Sequence, residues 1–343
     1  MKRGKSFISL IVTLSIILSL TVCAGSSEAA DNTVYTWRIG TGSGGNNNNP
    51  YIWYMEQIKE TVEKRSDGRI KVQLYPSGQL GTLMELSQGL TDGTVDTALI
   101  PTQYYTSMIP DMFILDISYQ FKDDMEAIEI LNKNDTILEK HMLDKGIIAA
   151  AWIRLFPRIT ISNRKVETLD NWKGLKLWFA PSALLQNKAA KLGVVACNFD
   201  LGELAASLQN GTVDGCWTDY SLMAGQSLFT SAPYILESPK DILISVLAIS
   251  KIWFNKLPSD LQTLVLECAN EVAKAEYVRA GEVEVVFKGI ITKGGGKFYD
   301  PSDTLTAAMI DTLKGESDWL LKNYPQVKDA YNELQKLIEA HRQ

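Results

Sequence analysis

At 343 residues the chain has room for one large or two ordinary domains, and 45% hydrophobic residues supply a substantial core. A formal net charge of −6 leaves no basic stripe to neutralise phosphates, so no nucleic-acid partner is expected. Only two histidines occur, His141 and His341, so neither a Ser-His-Asp arrangement nor a histidine-based zinc site can be assembled, and no metal or cofactor is expected.

The first element is a sorting signal. Lys2, Arg3 and Lys5 precede an apolar run from Phe7 to Val22, and Ser27-Glu28-Ala29 offers a cleavage site before Ala30. Residues 1–29 are therefore expected to be removed from an exported, periplasmic protein. Val22 is bulkier than the small residue a lipoprotein signal carries before its cysteine, so soluble export is expected over lipid attachment at Cys23. Removal takes away three bases and one acid and makes the remainder more acidic still. Three cysteines then remain. Cys197 and Cys216 bracket one strand-helix-strand unit, which is compatible with a disulfide worth about 3 kcal/mol or with buried thiols.

Val34 to Gly40 alternates like a strand, and the loop from Thr41 to Asn49 carries it to a helix begun by Pro50 and stopped at Ser66-Asp67-Gly68. Gly40, Gly42 and Gly45 fit G-x-G-x-x-G. The context does not: four asparagines and a proline separate the last glycine from the helix, and the next strand ends Gln73-Leu74-Tyr75 without a ribose-binding acid. The stretch reads as a cleft-lining loop. Arg69 to Tyr75 is a strand, Thr82 to Thr91 a helix and Val95 to Ile100 a strand. Met112 to Tyr119 is apolar, Asp123 to Lys140 reads as one helix, and Ile147 to Arg154 as a strand running on to ITISN.

From Gly174 to Tyr220 the chain reads strand, helix, strand, helix, strand, with Ser182 as a cap and Gly193 and Asn210-Gly211 as stops. This cassette is the expected half-site. It has an echo: LTDGTVDTALI (Leu90 to Ile100) aligns with LQNGTVDGCWT (Leu208 to Thr218). Two copies of the same helix-to-strand junction predict two similarly built α/β lobes with a ligand in the crevice outside the strand ends. Ile242 to Ser250 is a long strand, and the helical tract from about Leu261 to Gly289, begun by LPSDLQTLV with Ser259 as cap, is too long for one lobe. Phe298, the Pro301-Ser302 turn and two further helical segments close the chain.

SDGRIKVQLYPSGQLG, LTDGTVDTALI, RITISNRKV with LDNWKGLKLW, ASLQNGTVDG and NKLPSDLQ follow one another in an order and spacing that resembles the solute-binding proteins of tripartite ATP-independent periplasmic (TRAP) transporters, dicarboxylate-binding type. The resemblance implies an α/β, two-lobed periplasmic-binding-protein fold, each lobe a mixed sheet flanked by helices, with a long helix spanning both. The lobes are expected at 34–154 plus 243–283 and at 155–242 plus 284–343. It also implies a monomeric receptor, not an enzyme, that closes on a small organic acid and delivers it to membrane-embedded permease subunits.

In that family an arginine at the end of the G-L-K-x-R strand holds the substrate carboxylate. Here the position is Trp178, which offers one N–H and a π-face in place of a bidentate guanidinium. Arg158 matches a second arginine that reaches the ligand in some members, and Arg154 lies one strand-turn earlier. Trp178, Phe179 and Trp217 form an expected aromatic wall, suited to a flat or apolar acid. With Asp219 the same wall would suit an amine through cation–π contact, an alternative reading. An exported nucleotide-cofactor enzyme is a more remote one. Trp53 and Trp152 are expected in the core.

Overall fold

The computed structural model describes residues 33–45, 48–133, 135–154, 156–237 and 242–343. The expected export signal at 1–29, with Cys23, lies outside these described residues.

Eleven strands among the described residues form two sheets: β1 (Tyr35–Gly40), β2 (Ile70–Tyr75), β3 (Thr97–Pro101), β4 (Ile147–Arg154), β5 (Ile159–Ser162), β6 (Lys176–Trp178), β7 (Val195–Cys197), β8 (Gly215–Thr218), β9 (Tyr234–Glu237), β10 (Ile244–Ser250) and β11 (Lys297–Tyr299). The first sheet runs β2-β1-β3-β10-β4 and the second β11-β9-β5-β8-β6-β7. Within the first, β1, β2 and β3 are parallel and β10 is antiparallel to both neighbours. Within the second, β6, β7 and β8 are parallel and β5 is antiparallel to both β8 and β9. The chain crosses between sheets from β4 to β5 and returns from β9 to β10. Sequential α/β units build the parallel part of each sheet, and the crossovers supply the antiparallel strands.

The repeated Gly-Thr-Val-Asp has the same physical job in both sheets. Gly93, with φ +80°, and Gly211, with φ +76°, end their helices in the left-handed conformation that costs glycine little. The aspartate then reaches sideways: Asp96 Oδ2 accepts the backbone N–H of Arg38 at 3.2 Å, and Asp214 Oδ2 accepts that of Lys176 at 2.9 Å. Each carboxylate thus ties its strand to the neighbouring one. In the second copy Gly215 follows, where a Cβ would come within 1.9 Å of the Ile161 carbonyl, so only glycine allows β5 and β8 to pair.

The 35-residue helix Ser259–Lys293 is about 52 Å long at 1.5 Å per residue. Its first half, through Leu261, Val265, Cys268 and Val272, packs with Trp37, Tyr54 and Ile58 against the outer face of the first sheet. Its second half places Val283, Phe287 and Ile291 in the core that also holds Phe156, Ile159, Ile161 and Tyr220. One helix therefore serves both sheets, as expected for a helix spanning two lobes.

Several elements differ from expectation. The helix read over Asp123 to Lys140 is two, Asp124–Lys133 and Ile137–Asp144, because Thr136 starts a new helix with its N–H held by Glu139 Oε2 at 3.2 Å. The apolar run at Met112 is a 3-10 segment, Pro110–Asp116, with every residue after Pro110 buried. The helix at Leu201 opens as a 3-10 turn, Leu201–Glu203. Pro258, rather than Ser259, precedes the first residue of the long helix. Three α-helices follow β11, at Asp303–Leu313, Glu316–Asn323 and Lys328–His341, where two were expected. Cys197, Cys216 and Cys268 are all free thiols. The register explains why: Trp178 pairs with Cys197 on one side and Cys216 on the other, so the two cysteines are two strand spacings apart, about 9–10 Å. A disulfide spans no more than about 7 Å between Cα atoms.

Candidate functional site

The C-terminal ends of four parallel strands, β1 and β3 from the first sheet and β6 and β8 from the second, converge on one cavity. Residues at or just beyond those ends line it: Thr41 and Ser43, Pro101 and Gln103, Trp178 and Ala180, Trp217 to Asp219. This is where open α/β sheets place their ligands. The inner cavity has a volume of about 60 Å³. It adjoins an outer cleft of about 810 Å³, and Ser43, Leu83, Tyr104, Leu201 and Leu222 belong to both walls. The glycine-rich loop, through Gly42, Gly44 and Gly45, lines the outer cleft.

Arg158 is the one cation among the described residues lining the inner cavity, and it is only 3% exposed. Its Nε donates to the Ile242 carbonyl at 3.1 Å and its Nη2 to Asp116 Oδ1 at 3.0 Å. A guanidinium has five N–H donors, so these contacts fix its plane and leave donor capacity at the wall. Asp116 also accepts from Gln103 Nε2, and its carbonyl accepts from Lys188 Nζ at 3.3 Å. The buried Lys188 ammonium stands 4.5 Å from the centre of the Trp217 ring. Beneath the floor there is thus a buried network of two cations, one carboxylate and one amide, organised around a residue of the apolar 3-10 segment.

The other expected residues divide. Trp178 lines the cavity and is held by its Nε1, which donates to the Phe199 carbonyl at 2.9 Å. Trp217 lines it as well. Phe179 does not; it packs edge-on against Trp217 with ring centres 5.2 Å apart and supports the wall from behind. Asp219 lines the cavity, but its Oδ1 caps the helix Tyr220–Gly225, accepting from Ser221 N at 2.7 Å, Ser221 Oγ at 2.5 Å and Leu222 N at 3.1 Å. Burial pushes its carboxyl pKa up, opposed by those hydrogen bonds and by the charge of Arg158. Arg154 is outside the cavity wall, paired with Asp124 at the end of β4. Trp152 is core, its Nε1 donating to Glu139 at 2.8 Å, and the Trp53 ring carries Arg279 at 4.8 Å.

Three lining residues carry buried polar atoms without a partner: the donor Trp217 Nε1, the acceptor Gln103 Oε1 and the Thr218 hydroxyl, which can do either. Each such atom costs about 1–3 kcal/mol if nothing answers it.

Tyr51, Leu83, Pro101, Gln103, Tyr104, Leu201, Leu222 and Leu243 are wall residues that sequence reasoning did not single out. A signal for some of them existed. Extending the two echoed segments by four residues pairs Pro101 with Asp219 and Tyr104 with Leu222, and all four line the cavity. Tyr51 has no such signal, because its position on the apolar face of the helix Pro50–Arg65 reads as core.

Comparison with known proteins matches residues 42–319 to the family model described as DctP, bacterial extracellular solute-binding protein, family 7. The C4-dicarboxylate-binding periplasmic protein DctP of Rhodobacter capsulatus is 27% identical over 236 residues, 65% of this chain and 70% of that protein. Among solved structures, a TRAP periplasmic solute-binding protein from Desulfovibrio salexigens with bound orotic acid superposes with a TM-score of 0.84 at 20% identity, covering 90% of this chain and 99% of the other. One from Haemophilus influenzae with bound L-gulonate gives 0.82 at 24% identity, with 88% and 99% covered. These structures share the fold. No helix among the described residues is long and apolar enough to cross a membrane.

Proposed function

Because the chain belongs to the DctP family of bacterial extracellular solute-binding proteins, the receptors of TRAP transporters, we propose that it captures one small organic acid in the crevice between its two sheets and hands it to membrane-embedded permease subunits. The observation that carries this reading is the convergence of four strand ends on a cavity whose single lining cation among the described residues is Arg158. We divide the molecule into lobes at 34–154 plus 243–283 and 155–242 plus 284–343, which keeps β1 to β4 and β10 together and β5 to β9 with β11. Ligand contacts made from both sides exist only when the lobes are together, so the acid shifts the equilibrium towards closure and presents a new surface to the permease. Arg158 serves as the carboxylate anchor, with Trp178 and Trp217 as walls and Phe179 behind them. The receptor acts as a monomer in the periplasm and performs no chemistry on its ligand.

The known ligands of related receptors support an acid. Orotic acid and L-gulonate in the two solved structures, and C4-dicarboxylates for the Rhodobacter protein, all carry carboxylates. The amine alternative is disfavoured by geometry, since a cation already stands over the Trp217 ring and Asp219 Oδ1 already caps a helix.

A thermal-shift screen of aliphatic acids, aromatic acids and amines, with native mass spectrometry of whatever copurifies, tests the proposal. One acid bound per chain and recovered unchanged is expected. A preference for amines, or conversion of the bound molecule, would overturn it.

A further inference from the structure

If the protein is a receptor for an organic acid, the reading on which this inference rests, the wall of the inner cavity narrows which acid it takes. A volume of about 60 Å³ has room for roughly four to six water-sized groups, enough for a carboxylate and its nearest atoms. Arg158 brings the only positive charge among the described wall residues. The network behind it sets Arg158 and Lys188 against the Asp116 carboxylate, two cations to one, which leaves charge for one ligand carboxylate and none for a second, and Asp219 adds a further acid to the wall. The outer cleft adds Glu85 and Asp200, which repel one.

The polar atoms without partners define the rest. Trp217 Nε1 can only donate, so it asks for an acceptor. Gln103 has its amide turned by donation from Nε2 to the Asp116 carboxylate, which can only accept; Oε1 therefore asks for a donor. The Thr218 hydroxyl can turn to suit either kind of partner and so selects neither. Beyond these, the wall carries the hydroxyls of Thr41, Ser43 and Tyr51, but its junction with the outer cleft is Leu83, Tyr104, Leu201 and Leu222 with Ser43, mostly apolar or aromatic surface.

We infer that the ligand is a compact monocarboxylate with one hydroxyl beside the carboxylate and an apolar remainder. The carboxylate sits on Arg158 and Trp217 Nε1. The neighbouring hydroxyl donates to Gln103 Oε1. The apolar remainder lies against Trp178 and Tyr104 and extends towards the outer cleft. A dicarboxylate would bury an unmatched charge here. A sugar acid would press several hydroxyls against Leu83, Leu201 and Leu222 at that junction, where Ser43 and Tyr104 offer too few partners.

Isothermal titration of the mature chain with lactate, mandelate, propanoate, malate and glucuronate tests this. Lactate or mandelate should bind about tenfold or more tighter than propanoate, which lacks the hydroxyl, and than malate and glucuronate. Malate or glucuronate binding as well or better overturns the inference while leaving the receptor reading intact. All five below detection also overturns it, and the receptor reading falls too only if no acid copurifies. Trp217→Phe keeps a ring but removes the N–H. Its affinity for the best acid should fall about tenfold, while the ligand-free melting temperature reads separately the lost indole packing and the weakened Lys188 contact. Unchanged affinity would remove Trp217 from the carboxylate site.

Discussion

Arg158 and Asp116 face one another with side chains only 4% and 1% exposed, and this changes what a substitution at the anchor does. From sequence, Arg158→Ala is expected to weaken binding far more than stability. The pair argues otherwise: removing the guanidinium takes the ion-pair partner from a buried carboxylate, a loss of up to about 3–5 kcal/mol that Gln103 and Lys188 offset in part. Chemical denaturation should show that loss for Arg158→Ala and a partial recovery for Arg158→Ala with Asp116→Asn, while acid binding is lost in both. Equal stability of the single variant and the parent would mean that the pair is dispensable. Arg158 was legible because its segment, RITISNRKV, resembles a known pattern. Asp116 stood in MFILDISY as one acid among apolar residues, and only the three-dimensional path of the 3-10 segment shows that it is the counter-ion. Likewise Trp178 and Trp217 could be picked out as strand-end residues, yet the fixing of one indole by Phe199 and the unanswered N–H of the other depend on distant chain.

Secondary elements were read well where local chemistry decides them. Strand alternation, the proline at the start of Pro50–Arg65 and the glycine stops all act within a few residues, so they leave a mark in the sequence. Short elements governed by distant partners did not: the break at Thr136 and the 3-10 segment before Asp116 lie in runs whose apolar content suits a longer helix equally well. The long helix was legible in length but not in its middle. Glu276 is completely buried there, its Oε2 3.2 Å from Arg279 and its Oε1 without a partner. Burial raises its pKa to about 7, against the pull of Arg279 and Arg154. Because the folded state holds this proton more tightly than the unfolded state, stability falls as pH rises from about 4.5 to about 7, by about 3 kcal/mol from this group. Glu276→Gln should therefore raise the melting temperature at pH 8 and leave it nearly unchanged at pH 4.5. A pH-independent effect would show that Glu276 ionises freely in the folded protein.

At the scale of the whole molecule, the two sheets meet over a cavity too small for most free solutes to enter, beside a cleft more than ten times larger. Such an arrangement needs the sheets to separate before a solute passes the residues that border both, Ser43, Leu83, Tyr104, Leu201 and Leu222. Small-angle scattering should accordingly report a larger radius of gyration without ligand than with a saturating acid. Identical radii in both conditions would argue against lobe closure as the capture step.

The helix Ser259–Lys293 is anchored on the first sheet by its leading half and on the second by its trailing half, with no break between. A rod fastened at both ends to bodies that swing apart behaves as a leaf spring: it must flex, and it recoils when released. Gly281 and Gly289, each with open space where a Cβ would stand, lie in the trailing half and lower the cost of bending there. Alanine at those two positions would stiffen the rod without touching a residue that lines either cavity.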